Sequence, residues 1–172
     1  MRLEGTFEVP GRSDEVYGFL TDWSRVAPVL PDVTSYEVLD ADSIRFQARV
    51  GVSALRGEMR TRLTIVDRVP GRRAHYRGRA SGLGSRVDLE LGFELAGTPG
   101  GTEVRWSGTA TLAGRLAGLT VGLLERIARR YLTVLVDALQ RALAREPAEA
   151  SKRASGRHFA PTSRRNARLD ES

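Results

Sequence analysis

Residues 112–144, LAGRLAGLTVGLLERIARRYLTVLVDALQRALA, decide the fold, because they read as one long helix following a run of strands. Leu116, Leu123, Ile127, Tyr131, Val134, Ala138 and Ala142 recur at three- and four-residue spacing and predict a single apolar stripe. Arg126, Arg129, Arg130, Asp137, Gln140 and Arg141 fall on the other side. No charge lies between Arg115 and Glu125, and Leu119, Val121 and Leu124 widen the apolar surface there. Gly114, Gly118 and Gly122 interrupt this first half at intervals of four. As helix-interior glycines they would each cost about 1 kcal/mol relative to alanine. They lie roughly opposite the stripe, so core packing does not explain them; they are read as a soft helix end at a cavity mouth, the alternative being close approach of a partner or of lipid to the apolar end formed by Leu119, Val121 and Leu124.

The pattern upstream changes to period two. Leu3, Gly5, Phe7 and Val9 alternate with polar residues and predict a first strand over 1–10. Ser13 is placed as the N-cap of a short helix carrying Val16, Tyr17, Phe19 and Leu20, and 23–30 as a second short helix stopped by Pro31. Six strands follow, over 33–39, 43–52, 53–68, 74–82, 86–95 and 102–112. The expected class is therefore α+β: a curved antiparallel seven-stranded sheet around a long C-terminal helix, with two short helices after strand 1. Glu146-Pro147 is taken as the end of the helix. The expected domain spans 1–145, and 146–172, rich in Ser, Arg, Ala and Pro, reads as a flexible basic tail. His158, Phe159 and Leu169 are its isolated anchoring candidates, with Arg157, Arg164, Arg165 and Arg168 available to anionic lipid.

Composition narrows the function classes. The 172 residues contain no cysteine, which excludes disulfides, Cys-based zinc sites, Fe–S clusters and thiol nucleophiles, and fits a reducing cytoplasm. Residues 1–10 read as a strand, not a secretory leader, and no run reaches the roughly 18 apolar residues that span a bilayer. The histidines are His75 and His158, too few for histidine-pair metal sites or Ser–His–Asp chemistry. Gly82-Leu83-Gly84 joins two strands, so it is no phosphate-binding turn. No catalytic residue and no metal site is expected.

The inward strand positions carry the positive signal. Phe46, Leu55, Met59, Leu63, Tyr76, Leu89, Leu91, Phe93 and Trp106 share their faces with Ala48, Gly57, Ala74, Gly78, Ala80, Gly82, Gly108 and Ala110. Strands thinned in this way should leave room against the helix, in an apolar pocket of roughly 300–1,000 Å³. Expected ligand contacts are Leu116, Leu123, Ile127 and Tyr131 from the helix. From the sheet they are Phe46, Val50, Leu55, Met59, Tyr76 and Trp106, with Trp23 and Leu30 at the mouth. Arg45, Arg49, Arg56, Arg60, Arg62, Arg73, Arg77 and Arg79 predict a broad positive outer face, consistent with the net charge of +6. Without interleaved aromatic side chains it does not suit nucleic acid; an acidic enzyme or anionic lipid suits it better.

The first strand, the 13–20 helix, Pro31-Asp32-Val33, the glycine-rich strands and the run Gly114-Arg115-Leu116-Ala117-Gly118-Leu119 together resemble the CoxG-like family, named for the G subunit of carbon monoxide dehydrogenase. That family sits in the START-like (SRPBCC) helix-grip superfamily, with plant pollen allergens and polyketide cyclases. The resemblance covers 1–144. Most members carry a Gly-Cys passage after the first proline of the second-helix region, where this chain has Pro31-Asp32-Val33. The resemblance implies a helix-grip pocket that handles lipophilic quinone. It also implies a tie to molybdenum-containing CO dehydrogenase and related hydroxylases, and a part in their membrane recruitment. On this reading the domain is no enzyme. It uses no cofactor, carries menaquinone or ubiquinone as cargo, and works in the cytoplasm with peripheral contact at the inner face of the cell membrane. The alternatives are a polyketide cyclase/dehydratase-like enzyme of the same fold and a docking protein without ligand.

Overall fold

A computed structural model describes residues 1–52 and 54–155. The chain opens with β1 (Arg2–Val9), α1 (Ser13–Leu20), α2 (Trp23–Val26) and a 3-10 turn (Ala27–Val29). A meander follows: β2 (Val33–Val38), β3 (Ser43–Val52), β4 (Leu55–Val69), β5 (Arg73–Gly82), β6 (Ser85–Thr98) and β7 (Gly101–Gly114). A second 3-10 turn (Arg115–Gly118) leads into α3 (Val121–Ser155). All pairings are antiparallel in one seven-stranded sheet of order β1-β7-β6-β5-β4-β3-β2. The helix-grip architecture read from the sequence is the architecture observed. Because β1 and β2 hold opposite edges, α1 and α2 carry the chain across the end of the sheet.

Alternation along the strands sets a concave apolar face and a convex polar one. One cross-strand row on the concave face runs Gly5, Trp106, Phe93, Ala74; the next runs Leu3, Gly108, Leu91, Tyr76, Ile65. Glycines on this face are partners of large neighbours. The Leu63 side chain occupies the place of a Cβ on Gly78, and the Trp106 indole lies 3.0 Å from that place on Gly5. Much of the room expected from the small residues is therefore filled by adjoining side chains. The principal core joins Val16, Phe19, Trp23, Val26, Ile44, Ile65, Ala74, Phe93, Val104, Leu139 and Leu143.

Boundaries differ from expectation at four places. Ser13 is the first residue of α1, with Arg12 as its cap, and its hydroxyl lies 3.5 Å from that of Thr102. Thr102, wholly buried, donates to the Gly11 carbonyl at 2.9 Å, which fixes the β1–α1 turn against β7. Leu112 to Gly114 continues β7, because Leu112 pairs with Val87 on the concave face and so extends the alternation of Ala110. Gly114 then turns the chain with φ +82, a conformation that favours glycine. The α3 helix starts only after Thr120, whose hydroxyl accepts the Leu123 N–H at 3.3 Å. Finally, α3 passes Pro147 and runs to Ser155. The tail candidates His158, Phe159, Leu169, Arg157, Arg164, Arg165 and Arg168 lie outside the described residues.

These boundaries overturn the soft-helix reading of the glycines. Gly114 ends a strand, Gly118 ends a 3-10 turn, and Gly122 alone is in α3, in its first turn.

The buried face of α3 also differs. Successive residues turn by about 100°, so Leu132, Leu135, Val136, Leu139 and Leu143 share one side. Leu139 and Leu143 are buried, and Leu132, Leu135 and Val136 face the concave surface. The expected stripe is rotated away from this side: Tyr131 and Val134 are 38% and 48% exposed. Two side chains brace the helix. Tyr131 donates its hydroxyl to the Pro31 carbonyl at 2.8 Å, just before β2, and Gln140 donates Nε2 to the Glu8 carbonyl of β1 at 2.8 Å. Nine residues make about two and a half turns, so the two braces project from opposite flanks of α3 toward opposite sheet edges.

Two substitutions separate a filled glycine from an open one. Gly78→Ala sets its methyl against Leu63 and within 3.1 Å of the Arg62 carbonyl, and should destabilise the domain by about 1–3 kcal/mol. Gly122→Ala meets nothing within 4 Å and should stabilise it by up to about 1 kcal/mol. Urea denaturation of both variants checks the pair; equal effects would contradict the packing described.

Candidate ligand cavity

Between α3 and the concave face lies an apolar cavity of about 190 Å³. The sheet contributes Leu63, Tyr76, Leu91, Phe93, Val104 and Trp106; α3 contributes Leu132, Leu135, Val136 and Leu139. Leu20, Trp23, Val26 and Leu30 close it from the short helices and the turn after them. It is smaller than the pocket expected from the sequence, because leucine and tryptophan side chains cover the glycine positions.

Val121 and Leu139 are eighteen residues apart, about five full turns, and so share one side of the helix. Leu139 is 7% exposed and Val121 65%. Leu139 thus faces the sheet, while Val121 faces solvent. Ala128, on the same side between them, adds little bulk.

Trp23, Tyr76 and Phe93 meet along the inner wall, with Tyr17 packed behind Phe93. Trp23 meets Tyr76 edge-on, with centroids 5.6 Å apart and planes at 66°; Tyr76 lies 6.0 Å from Phe93, and Phe93 6.3 Å from Tyr17. Tyr76 donates its hydroxyl to the Leu20 carbonyl at 2.9 Å, which ties α1 to β5. Burial pushes the Tyr76 phenol far above its ordinary range; Tyr17 adds to the rise and Arg68 opposes it. Burial likewise raises the Tyr131 phenol, and the Asp32 carboxylate adds to it. Trp23 Nε1 and Tyr17 Oη are buried without a hydrogen-bond partner among the described residues. An unmatched buried donor costs about 1–3 kcal/mol.

Of the contacts expected from the sequence, Trp23, Leu30, Tyr76 and Trp106 line this cavity. Phe46 packs against the principal core instead. Val50, Leu55, Met59 and Leu116 belong to a separate apolar cluster with Ala80, Leu83, Val87, Leu112 and Leu119. That cluster closes the sheet beneath the second 3-10 turn. Leu123 and Ile127 are half-buried on α3, outside the lining, and Tyr131 is a brace. Sequence reasoning misses the lining from α3 because it phases the helix on the wrong stripe. Leu132, Leu135, Leu139 and Leu143 form an equally regular set, and their larger side chains are the signal that could have found them.

The convex face carries the arginines in register. Arg45, Arg62 and Arg79 stand directly opposite one another across β3, β4 and β5. Acids interrupt the expected positive field: Arg79 bonds Asp88 at 2.8 Å, Arg77 lies 3.6 Å from Glu90, and Arg45 lies 3.9 Å from Glu37. The Arg79 hydrogen bond holds the Asp88 carboxyl below its usual range. Arg49, Arg56, Arg60 and Arg62 have no ion pair among the described residues. Nor is there a group of three or more metal-ligating side chains among them.

Comparison with known proteins adds a family and a set of folds. Residues 5–144 match the family of CoxG, described as the G subunit of carbon monoxide dehydrogenase. A conserved protein from Geobacillus kaustophilus is similar in structure, with TM-score 0.78 and 19% identity over 84% of this chain and 96% of that one. A START superfamily protein from Mycobacterium smegmatis matches at TM-score 0.62 and 10% identity over 84% and 97% of the two chains. The Zhui aromatase/cyclase from a Streptomyces species matches at TM-score 0.60 and 19% identity over 91% and 98%. At these identities the structures show the shared fold. No curated protein gives a significant match.

The buried phenol has a consequence for alkaline stability. The unfolded chain releases the Tyr76 proton near pH 10, whereas the folded chain keeps it. The contribution is therefore whole below about pH 10 and declines as pH rises above it. Urea denaturation should show the stability gap between the parent protein and Tyr76→Phe narrowing above about pH 10. A gap constant with pH would contradict the assignment.

Proposed function

The chain belongs to the CoxG family of carbon monoxide dehydrogenase, and on that premise we propose that it carries a lipophilic small molecule for a molybdenum-containing CO dehydrogenase-type redox enzyme. The cargo is an isoprenoid quinone of the menaquinone or ubiquinone kind. The observation that carries this reading is the apolar cavity under α3, walled by aromatic rings. A quinone ring fits the cavity's character.

Carriage without catalysis is the form of the proposal. The side chains with polar atoms in the lining belong to Trp23, Tyr76, Trp106 and Ser107, and the lining includes no carboxylate, histidine, lysine or arginine. A cyclase or dehydratase would need a general acid or base turned toward its substrate. The Tyr76 phenol is held protonated and donates to Leu20, which suits it poorly for the base role.

Delivery requires contact with a membrane and with an enzyme. No helix among the described residues is long and apolar enough to cross a bilayer, so the proposed membrane contact is peripheral, at the inner face of the cell membrane. The unpaired arginines of the convex face supply attraction to anionic lipid and to an acidic redox-enzyme surface.

Mass spectrometry of lipid extracts from gently purified protein should find a bound isoprenoid quinone. Leu135→Trp fills the cavity from α3 and should lower quinone affinity by about tenfold or more while the domain stays folded. Purified protein that holds no quinone and binds none when it is added would defeat the proposal.

A further inference from the structure

We propose that the domain docks on an anionic lipid bilayer by one end of its sheet, where the β3–β4 hairpin, the β5–β6 turn and the passage from β7 into α3 meet; the inference rests on the carrier reading above and names the surface it needs. The segments that reach this end, 43–57, 78–87 and 104–124, contain no aspartate or glutamate. They are packed together there. Ser85 pairs with Gly114, its hydroxyl accepts the Leu116 N–H at 2.9 Å, and the Leu83 side chain covers Gly57 beside the hairpin. The far end, with the β2–β3 turn and α1, carries Asp14, Glu15, Asp40 and Asp42. Arginines at that far end are already paired, Arg12 with Asp14 and Arg68 with Asp42. Free positive charge is thus segregated along the strands.

Charge and shape together point to lipid. Arg49 and Arg56 on the hairpin and Arg115 in the second 3-10 turn are exposed and have no ion pair among the described residues. The acids nearest the hairpin, Asp32 and Glu58, stand beside Arg49 on its flank. On α3, exposed Arg126, Arg129 and Arg130 outnumber Glu125. Between these arginines the foremost surface is uncharged and small: Ala54, Ala117, Gly118 and Val121 are exposed, Val121 at 65%. An apolar end rimmed by basic side chains has the make-up of an interfacial anchor for anionic lipid. Protein interfaces, by contrast, are anchored by large side chains such as Trp and Tyr seated in pockets. No aromatic residue occurs in 47–57, 78–87 or 107–124. A bilayer is deformable and needs no such anchor.

The chain contains no cysteine, so Val121→Cys and Gly100→Cys each place a polarity-sensitive fluorophore at a single position. The first lies on the proposed surface and the second in the β6–β7 turn at the far end, where Gly100 has nothing within 4 Å. With the full chain at low salt, vesicles containing phosphatidylglycerol should shift the emission at position 121 to the blue and leave that at 100 unchanged. Vesicles of phosphatidylcholine alone should shift neither. Arg49→Ala and Arg56→Ala should each weaken binding to phosphatidylglycerol vesicles about fivefold, and added salt should weaken it further. Bound protein whose label at 121 stays in water, or whose label at 100 shifts instead, overturns the inference. So does failure to bind these vesicles at low salt, which leaves the arginines to an acidic protein surface. Quinone found by mass spectrometry in protein that ignores the vesicles defeats this inference alone. Protein that takes up no quinone, native or added, defeats the carrier reading whatever the vesicles show.

Discussion

The structure depends on one helix being held across a curved sheet from both sides. Tyr131 reaches the Pro31 carbonyl next to one sheet edge and Gln140 reaches Glu8 on the other. Their half-turn opposition along α3 leaves the side between them to Leu132, Leu135, Val136 and Leu139, which look down on the concave face. Each brace is worth only the modest net energy of a hydrogen bond, about 0.5–1.5 kcal/mol. What the pair supplies is orientation: the helix cannot roll without breaking one of them. Leu139 and Leu143 seat α3 in the core, and Leu132, Leu135, Val136 and Leu139 roof the cavity on the side between the braces.

The sheet is legible in the sequence because period two leaves little room for error. Gly78 and Leu63, or Trp106 and Phe93, fall on one face in any reading that respects alternation. The helix is harder. From Tyr131 to Leu143 apolar residues cover a little more than half of the cylinder, so two stripes compete, and spacing alone does not choose between Tyr131–Val134–Ala138 and Leu132–Leu135–Leu139. Side-chain volume does choose, since leucines fill a groove that alanines leave empty. The start of the helix is hidden for a related reason. Leu112-Ala113-Gly114 fits either period, and only its pairing with β6 makes it strand.

The candidate site divides in the same way. Trp23, Leu30, Tyr76 and Trp106 are legible because large aromatic and aliphatic side chains beside small ones mark the inner surface. Val50, Leu55, Met59 and Leu116 carry that same signal and belong to a second cluster, since inwardness does not say which end of a long sheet a residue occupies. The unmatched indole of Trp23 has no signature in the sequence at all.

The pairing of β1 with β7 bears on how the chain reaches this state. Met1 and Ala110 are joined at both backbone groups, 109 residues apart in sequence. Closing so long a loop is entropically costly, and such separations slow folding. During synthesis the first strand emerges with its partner still about a hundred residues from translation. Its apolar Leu3, Phe7 and Val9 must wait in a chain whose meander β2 to β6 can already zip by neighbouring hairpins. The domain's first strand thus finds its place only once its seventh has been made, and the interval before it docks is when this domain is most open to misassociation.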